Sequence, residues 1–130
     1  MATRSLIGMA KEGTPEIQYI YCHFDGYPSH NGRILLEHYQ DPEKIKSLLK
    51  LGDISFLRPK VEPIGEHSYD SPEGGVVVAY HRDRGEELRS NVAYSEGQFV
   101  RRGGMVDYLY LFKEGRWHYS RGGSFVPLEL

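Results

Sequence analysis

Apolar positions fall into short blocks separated by polar, Gly- and Pro-bearing segments. Residues Arg4 to Ala10 and Ile17 to Phe24 read as two strands, joined by Lys11-Glu12-Gly13-Thr14-Pro15-Glu16, which holds the Gly and Pro a hairpin connection uses. In the second block Tyr19, Tyr21 and His23 share one face, and Gln18, Ile20, Cys22 and Phe24 the other. Both faces are largely apolar or aromatic, so the strand is expected at the centre of a sheet, covered on both sides. Asp25-Gly26-Tyr27-Pro28 ends it. A short helix is expected from Gly32 to about Tyr39, with Asn31 as its cap and Ile34, Leu35 and Tyr39 as its apolar stripe. A second helix is better marked: Asp41 caps, Pro42 fills the first turn, Ile45, Leu48 and Leu49 repeat at helical spacing, and Gly52 stops it.

The stretch from Asp53 to Gly75 carries six Pro and Gly residues and reads as a loop, long enough to suggest a functional role. Val76 to His81 has the β-branched composition of a buried strand. Glu86 to Gln98 shows no dominant period. Val106 to Phe112 reads as a strand with Tyr108, Tyr110 and Phe112 on one face; Glu114-Gly115 turns it into Arg116 to Ser120, and Phe125 to Leu128 adds an edge segment. Strands, a helix pair and strands again predict an α+β fold, mainly antiparallel sheets with two short central helices, in a single domain spanning residues 1–130.

Composition narrows the partners. A net charge of −2 argues against binding duplex nucleic acid and against mimicking it. The single cysteine, Cys22, rules out an internal disulfide and a paired-cysteine metal knuckle. No run approaches the roughly 18 apolar residues of a membrane span, so a cytoplasmic protein without membrane contact is expected.

Three constellations could carry chemistry. Cys22 to His30, running into Arg33, offers a thiol, imidazoles and a carboxylate, yet strand alternation separates Cys22 from His23, and His23, Asp25 and His30 match no tight metal spacing. A loop feeding a helix N-terminus suits an anion instead, with Arg33 adding a charge-assisted bond and Phe24 or Tyr27 stacking on a base. Tyr80-His81-Arg82-Asp83-Arg84 leaves the expected buried strand; it reads either as a self-paired surface or, through Arg82 and Arg84, as a phosphate clamp. The third is the basic loop at Arg101-Arg102-Gly103-Gly104, ahead of the aromatic strand that begins near Tyr108.

The segments YCHFDGYP, ILLEHY and DPEKIKSLLKLGDIS, followed by VAYHRDRGE and YLYLFKEGRWHY, resemble a family of small phage and prophage proteins over most of the chain. The arrangement of strands, two central helices and strands, with aromatics and arginines at strand ends, is also similar to the phage anti-Thoeris sponge proteins. That resemblance implies sequestration, without cleavage, of a small cyclic nucleotide immune signal of the cyclic ADP-ribose or cyclic oligonucleotide type. It further implies a homo-oligomer acting in the cytoplasm of a bacterial host, with no cofactor and no enzymatic activity.

On this reading the ligand-binding residues are Phe24, Tyr27, Arg33, Arg82, Arg84, Arg101, Arg102 and Tyr108. Two other classes remain open. One is a protein-directed inhibitor of a host defence system, of the anti-CRISPR type, which predicts an exposed apolar patch. The other is a small hydrolase built on His23, Asp25 and His81.

Overall fold

A computed structural model describes residues 2–129. Strand β1 (Ser5–Ala10) and strand β2 (Ile17–Cys22) form the expected hairpin, in register from Ser5 opposite Cys22 to Ala10 opposite Ile17. Strand β3 (Ile54–Phe56) runs parallel to the end of β2, and β4 (Val78–Ala79) pairs with β3. On the other side of β1 lie β6 (Tyr108–Lys113), β7 (Arg116–Ser120) and β8 (Val126–Pro127), with β6 parallel to β1. A short β5 (Asn91–Ala93) pairs with the first half of β2. The expected α+β class holds, with mostly antiparallel pairing, and the strands gather into one sheet.

Strand alternation sorts the core onto the two faces of that sheet. Ile7, Ile20, Cys22, Tyr110, Phe112 and Trp117 face α1 (Arg33–His38) and α2 (Pro42–Lys50), which contribute Leu35, Ile45, Leu48 and Leu49. Leu6, Ile17, Tyr19, Leu109 and Leu111 face the other way, against Phe99 of α4 (Glu96–Arg102). The expected helix pair therefore covers one face only. Asp41 caps α2 by accepting the Glu43 N–H at 2.9 Å, and Gly52, with φ of 74°, lets the chain turn out of it.

Three local expectations are corrected. The Val76–His81 block supplies only Val78 and Ala79 to the sheet: Val77 donates to the Lys60 carbonyl, and Tyr80–Arg84 turns into helix α3. The Asp83 carboxylate reaches back to the Ala79 N–H at 2.8 Å, so the chain winds up where the sequence reads as extended. The basic segment at Arg101 and Arg102 is the last turn of α4, started by Ser95, whose hydroxyl accepts the Gln98 N–H. Asn31 is no cap. It is fully buried inside a π-helical turn (Pro28–Gly32) that runs directly into α1.

No helix among the described residues is long and apolar enough to cross a membrane.

Candidate functional site

The Cys22–Arg33 junction is built for shape. Asp25 adopts a left-handed backbone (φ 57°), and Gly26 donates to the Thr3 carbonyl at 2.8 Å. A Cβ on Gly26 would lie 2.8 Å from that oxygen, which is why the turn carries glycine. Tyr110 donates its hydroxyl to the Gly26 carbonyl from across the sheet. Asn31 donates to Ser5 Oγ at 3.3 Å and Cys22 Sγ at 3.4 Å, filling the space below the turn. Burial pushes the Cys22 thiol up to about 11, far from a reactive thiolate. The amides of His30, Asn31 and Arg33 already donate to carbonyls of the same turn, so the expected open helix N-terminus is consumed by the π-helical entry.

The sequence-expected residues scatter. Arg33 is exposed and sits 4.0 Å from Glu37, one turn along α1. Arg102 reaches Tyr19 Oη at 3.0 Å, and Arg101 is exposed at the end of α4, on the opposite face of the sheet from α1. Tyr108 lies under Arg121, whose guanidinium carbon is 5.2 Å from its ring centre. Phe24 stacks on Phe56 at 4.7 Å, and Tyr27 stands beside His30, 38% exposed. One pocket in a single chain cannot gather Arg33 with Arg101 and Arg102.

Arg82 is committed to architecture. Its guanidinium donates to the carbonyls of Val61 at 2.6 Å and Val77 at 2.8 Å and to both Asp83 oxygens. Asp83 also receives His67 Nε2 at 3.0 Å, with both side chains almost wholly buried. Burial pushes the Asp83 carboxyl up, but the hydrogen bonds from Arg82, the Ala79 N–H and His67 together outweigh it and hold it below the ordinary carboxylate range. His67 Nδ1 accepts the Glu73 N–H at 2.9 Å, so its proton resides on Nε2. Glu73 in turn accepts the amides of Ile64 and Gly65, which lowers its own carboxyl. The long loop is thereby folded against α3 as a strap.

Arg84 is the one expected arginine that points into open space beside aromatic groups. Its guanidinium carbon lies 4.8 Å from the centre of the Tyr69 ring and 5.9 Å from that of Tyr80, two rings 5.9 Å apart. Its Nε pairs with Glu86 at 2.8 Å, both side chains about half exposed. A cleft of about 390 Å³ opens here, lined by Ser68, Tyr69, Asp70, Asp83 and Arg84. A second, of about 230 Å³, is lined by Tyr21, Asp53, Tyr80, Glu86, Glu87 and Arg89. Arg84 touches the first cleft and Glu86 the second, so the ion pair bridges them. Within the second, Asp53 Oδ1 accepts the Tyr21 N–H at 3.0 Å, and burial raises its carboxyl.

His23, Asp25 and His81 serve separate local roles: His23 Nδ1 is 2.7 Å from Tyr21 Oη, Asp25 makes the turn, and His81 Nδ1 donates to the Glu86 carbonyl at 2.7 Å. Among the described residues no group of three His, Cys, Asp or Glu side chains is placed to share a metal ion.

Sequence reasoning missed His67 and Tyr69. Both lie in the strap, where no period marks them; the segment's length was the only signal. No family model, curated protein or solved structure matches the chain.

Proposed function

We propose that the protein binds a small phosphate-bearing nucleotide at the Arg84–Tyr69–Tyr80 cleft and holds it without cleaving it. The observation that supports this reading most is the guanidinium of Arg84 laid over two tyrosine rings at the mouth of a cleft. A phosphate oxygen can take the place of the Glu86 carboxylate on Arg84, and the tyrosines offer faces to a base. The neighbouring carboxylates of Asp53 and Glu87 suit ribose hydroxyls or an exocyclic amine. A volume near 390 Å³ falls within the range of small-molecule sites. Retention rather than turnover is favoured because the nearby imidazoles of His67 and His81 are already tied into hydrogen bonds.

The resemblance to phage sponge proteins gives this binding a purpose: removal of a cyclic ADP-ribose-type or cyclic oligonucleotide signal inside a bacterial host, as a counter-defence. On this reading a homo-oligomer closes the cleft, which a single chain leaves open to solvent. Titration calorimetry with cyclic ADP-ribose isomers and cyclic dinucleotides tests it, followed by heat release and mass analysis of the ligand. Micromolar or tighter binding and an unchanged ligand are expected. No binding to any of these probes sinks the reading, and an altered ligand makes the protein an enzyme.

A second reading, a protein-directed inhibitor, draws support from the segment around β5. Leu88, Val92 and Tyr94 are 50%, 38% and 62% exposed there, along a strand paired on one edge only. It predicts that Tyr94→Asp abolishes capture of a host protein while nucleotide binding persists.

A further inference from the structure

His67 is an unusual occupant of a polar, glycine-rich loop. Its side chain is only 2% exposed, as deeply buried as that of its partner Asp83 at 3%. Both ring nitrogens are used, in opposite senses: Nδ1 accepts the Glu73 N–H and Nε2 donates to Asp83. Only the neutral Nε2–H form satisfies both contacts. A protonated imidazole carries N–H on each side, and one of these would meet the Glu73 N–H head on.

The charged groups around the ring decide which contact gives way. From α3, the Asp83 carboxylate attracts an imidazolium, while Arg82 Nη2 at 3.5 Å from Nε2 repels it. From the strap, the Glu73 carboxylate acts on the ring at longer range and is itself influenced by Lys60. Glu62, 3.9 Å from Arg82, is mostly exposed. Attraction to Asp83 keeps the protonated ring on α3, so the bond that breaks is the one to Glu73. Glu73 is also the clamp on the Ile64 and Gly65 amides, and Tyr69, two residues beyond His67, donates its N–H to the Asp83 carbonyl.

We propose that His67 is the positioning residue that ties the Glu73 end of the strap to α3, and that its protonation breaks the Glu73 bond and frees that end beside the cleft, while Tyr69 stays on the Asp83 carbonyl. The Glu73 end is then tied down while the His67 ring is neutral and is freed when the ring gains a proton. The consequence for ligand affinity rests on the nucleotide reading above. The opening of the strap does not.

Amide hydrogen exchange on the unliganded chain at pH 7.5 and 5.5, expressed as protection factors to remove the intrinsic pH effect, tests the proposal. Protection at Ile64, Gly65 and Glu73 is expected to fall about tenfold or more in acid, with Tyr69, Ile7 and Ile20 unchanged. The midpoint of that fall should coincide with the titration of the His67 ring followed by NMR in the same sample. His67→Gln, which can accept and donate but gains no proton, should keep its protection at both pH values. Protection that is independent of pH in the native chain overturns the proposal. So does a midpoint that differs from that of His67, or a His67→Gln chain showing the same fall. Should His67→Gln lack protection at both pH values, the native midpoint alone decides. Loss of strap protection in a chain that binds no nucleotide would leave this inference standing and remove the one above.

Discussion

Arg84 holds its guanidinium carbon 4.8 Å above the centre of the Tyr69 ring, joining a residue of α3 to one in the strap. Neither residue belongs to the buried core, since the Arg84 side chain is about half exposed and Tyr69 is only partly buried. Arg84→Ala and Tyr69→Ala should therefore each weaken binding of a nucleotide probe about tenfold or more while leaving the thermal midpoint within a few degrees of native. Glu86→Gln, which removes the carboxylate competing for Arg84, should tighten binding. Calorimetry paired with thermal denaturation separates these outcomes. Unchanged affinity in both alanine variants would remove this cleft from consideration.

Arg82, two residues earlier, should behave in the opposite way. Arg82→Ala leaves the Val61 and Val77 carbonyls and the buried Asp83 without their donors, at a cost of about 2–4 kcal/mol. Arg101→Ala, on an exposed turn, should change stability by less than about 0.5 kcal/mol. Urea unfolding measures both. An Arg82→Ala chain as stable as native would contradict the assignment of this arginine to architecture.

Two aspartates push acid stability in opposite directions. Asp83 is held below its unfolded value of about 3.9, so its contribution is complete above that pH and is lost as pH falls through the folded value. Asp53 is raised by burial, so its ionisation opposes folding at neutral pH, and that opposition fades as pH falls through the raised value. Asp83→Asn should flatten the loss of stability below about pH 4. Asp53→Asn keeps an acceptor for the Tyr21 N–H and should be neutral or stabilising at pH 7. Urea midpoints at pH 7, 4 and 3 give the test; an unchanged acid slope in Asp83→Asn would be the contrary result.

Cys22 should be inert to thiol reagents in the native state, because it is fully buried and its thiol is pushed up to about 11. Labelling at pH 8 should proceed only as fast as the chain opens, and adding urea should accelerate it in step with unfolding. Rapid native-state labelling would mean that the floor of the Asp25–Gly26 turn is exposed in solution.

The parts of the fold legible in the sequence are those fixed by neighbours along the chain. The β1–β2 hairpin, the Asp41-capped helix and the β6–β7 hairpin each carry period, cap and turn within a few residues. What escaped depends on distant partners. Val76 and Val77 look like strand, but their extended backbone meets Lys60 rather than the sheet. Asn31 looks like a cap, yet the space beneath the turn needs a polar filler for Ser5 and Cys22. The site divides in the same way. Arg84 and Tyr80 are visible as a charged, aromatic cluster, whereas Tyr69 and His67 become neighbours of α3 only because Arg82 and Asp83 bind the strap from outside its own sequence. Ser95 with Gln98 was a readable capping signal, obscured by the basic pair that follows.

The parallel pairing of β1 with β6 bears on how the chain acquires its structure. Ser5 lies opposite Tyr108 and Met9 opposite Phe112, so a central strand waits for a neighbour that is synthesised much later. Closing so long a loop carries an entropic penalty before the locally formed β6–β7–β8 unit can join β1. A chain still emerging from the ribosome would present β1 with one edge unpaired. Folding on the slow side for a domain of this size, in milliseconds to seconds, is the kinetic signature expected of that order of assembly.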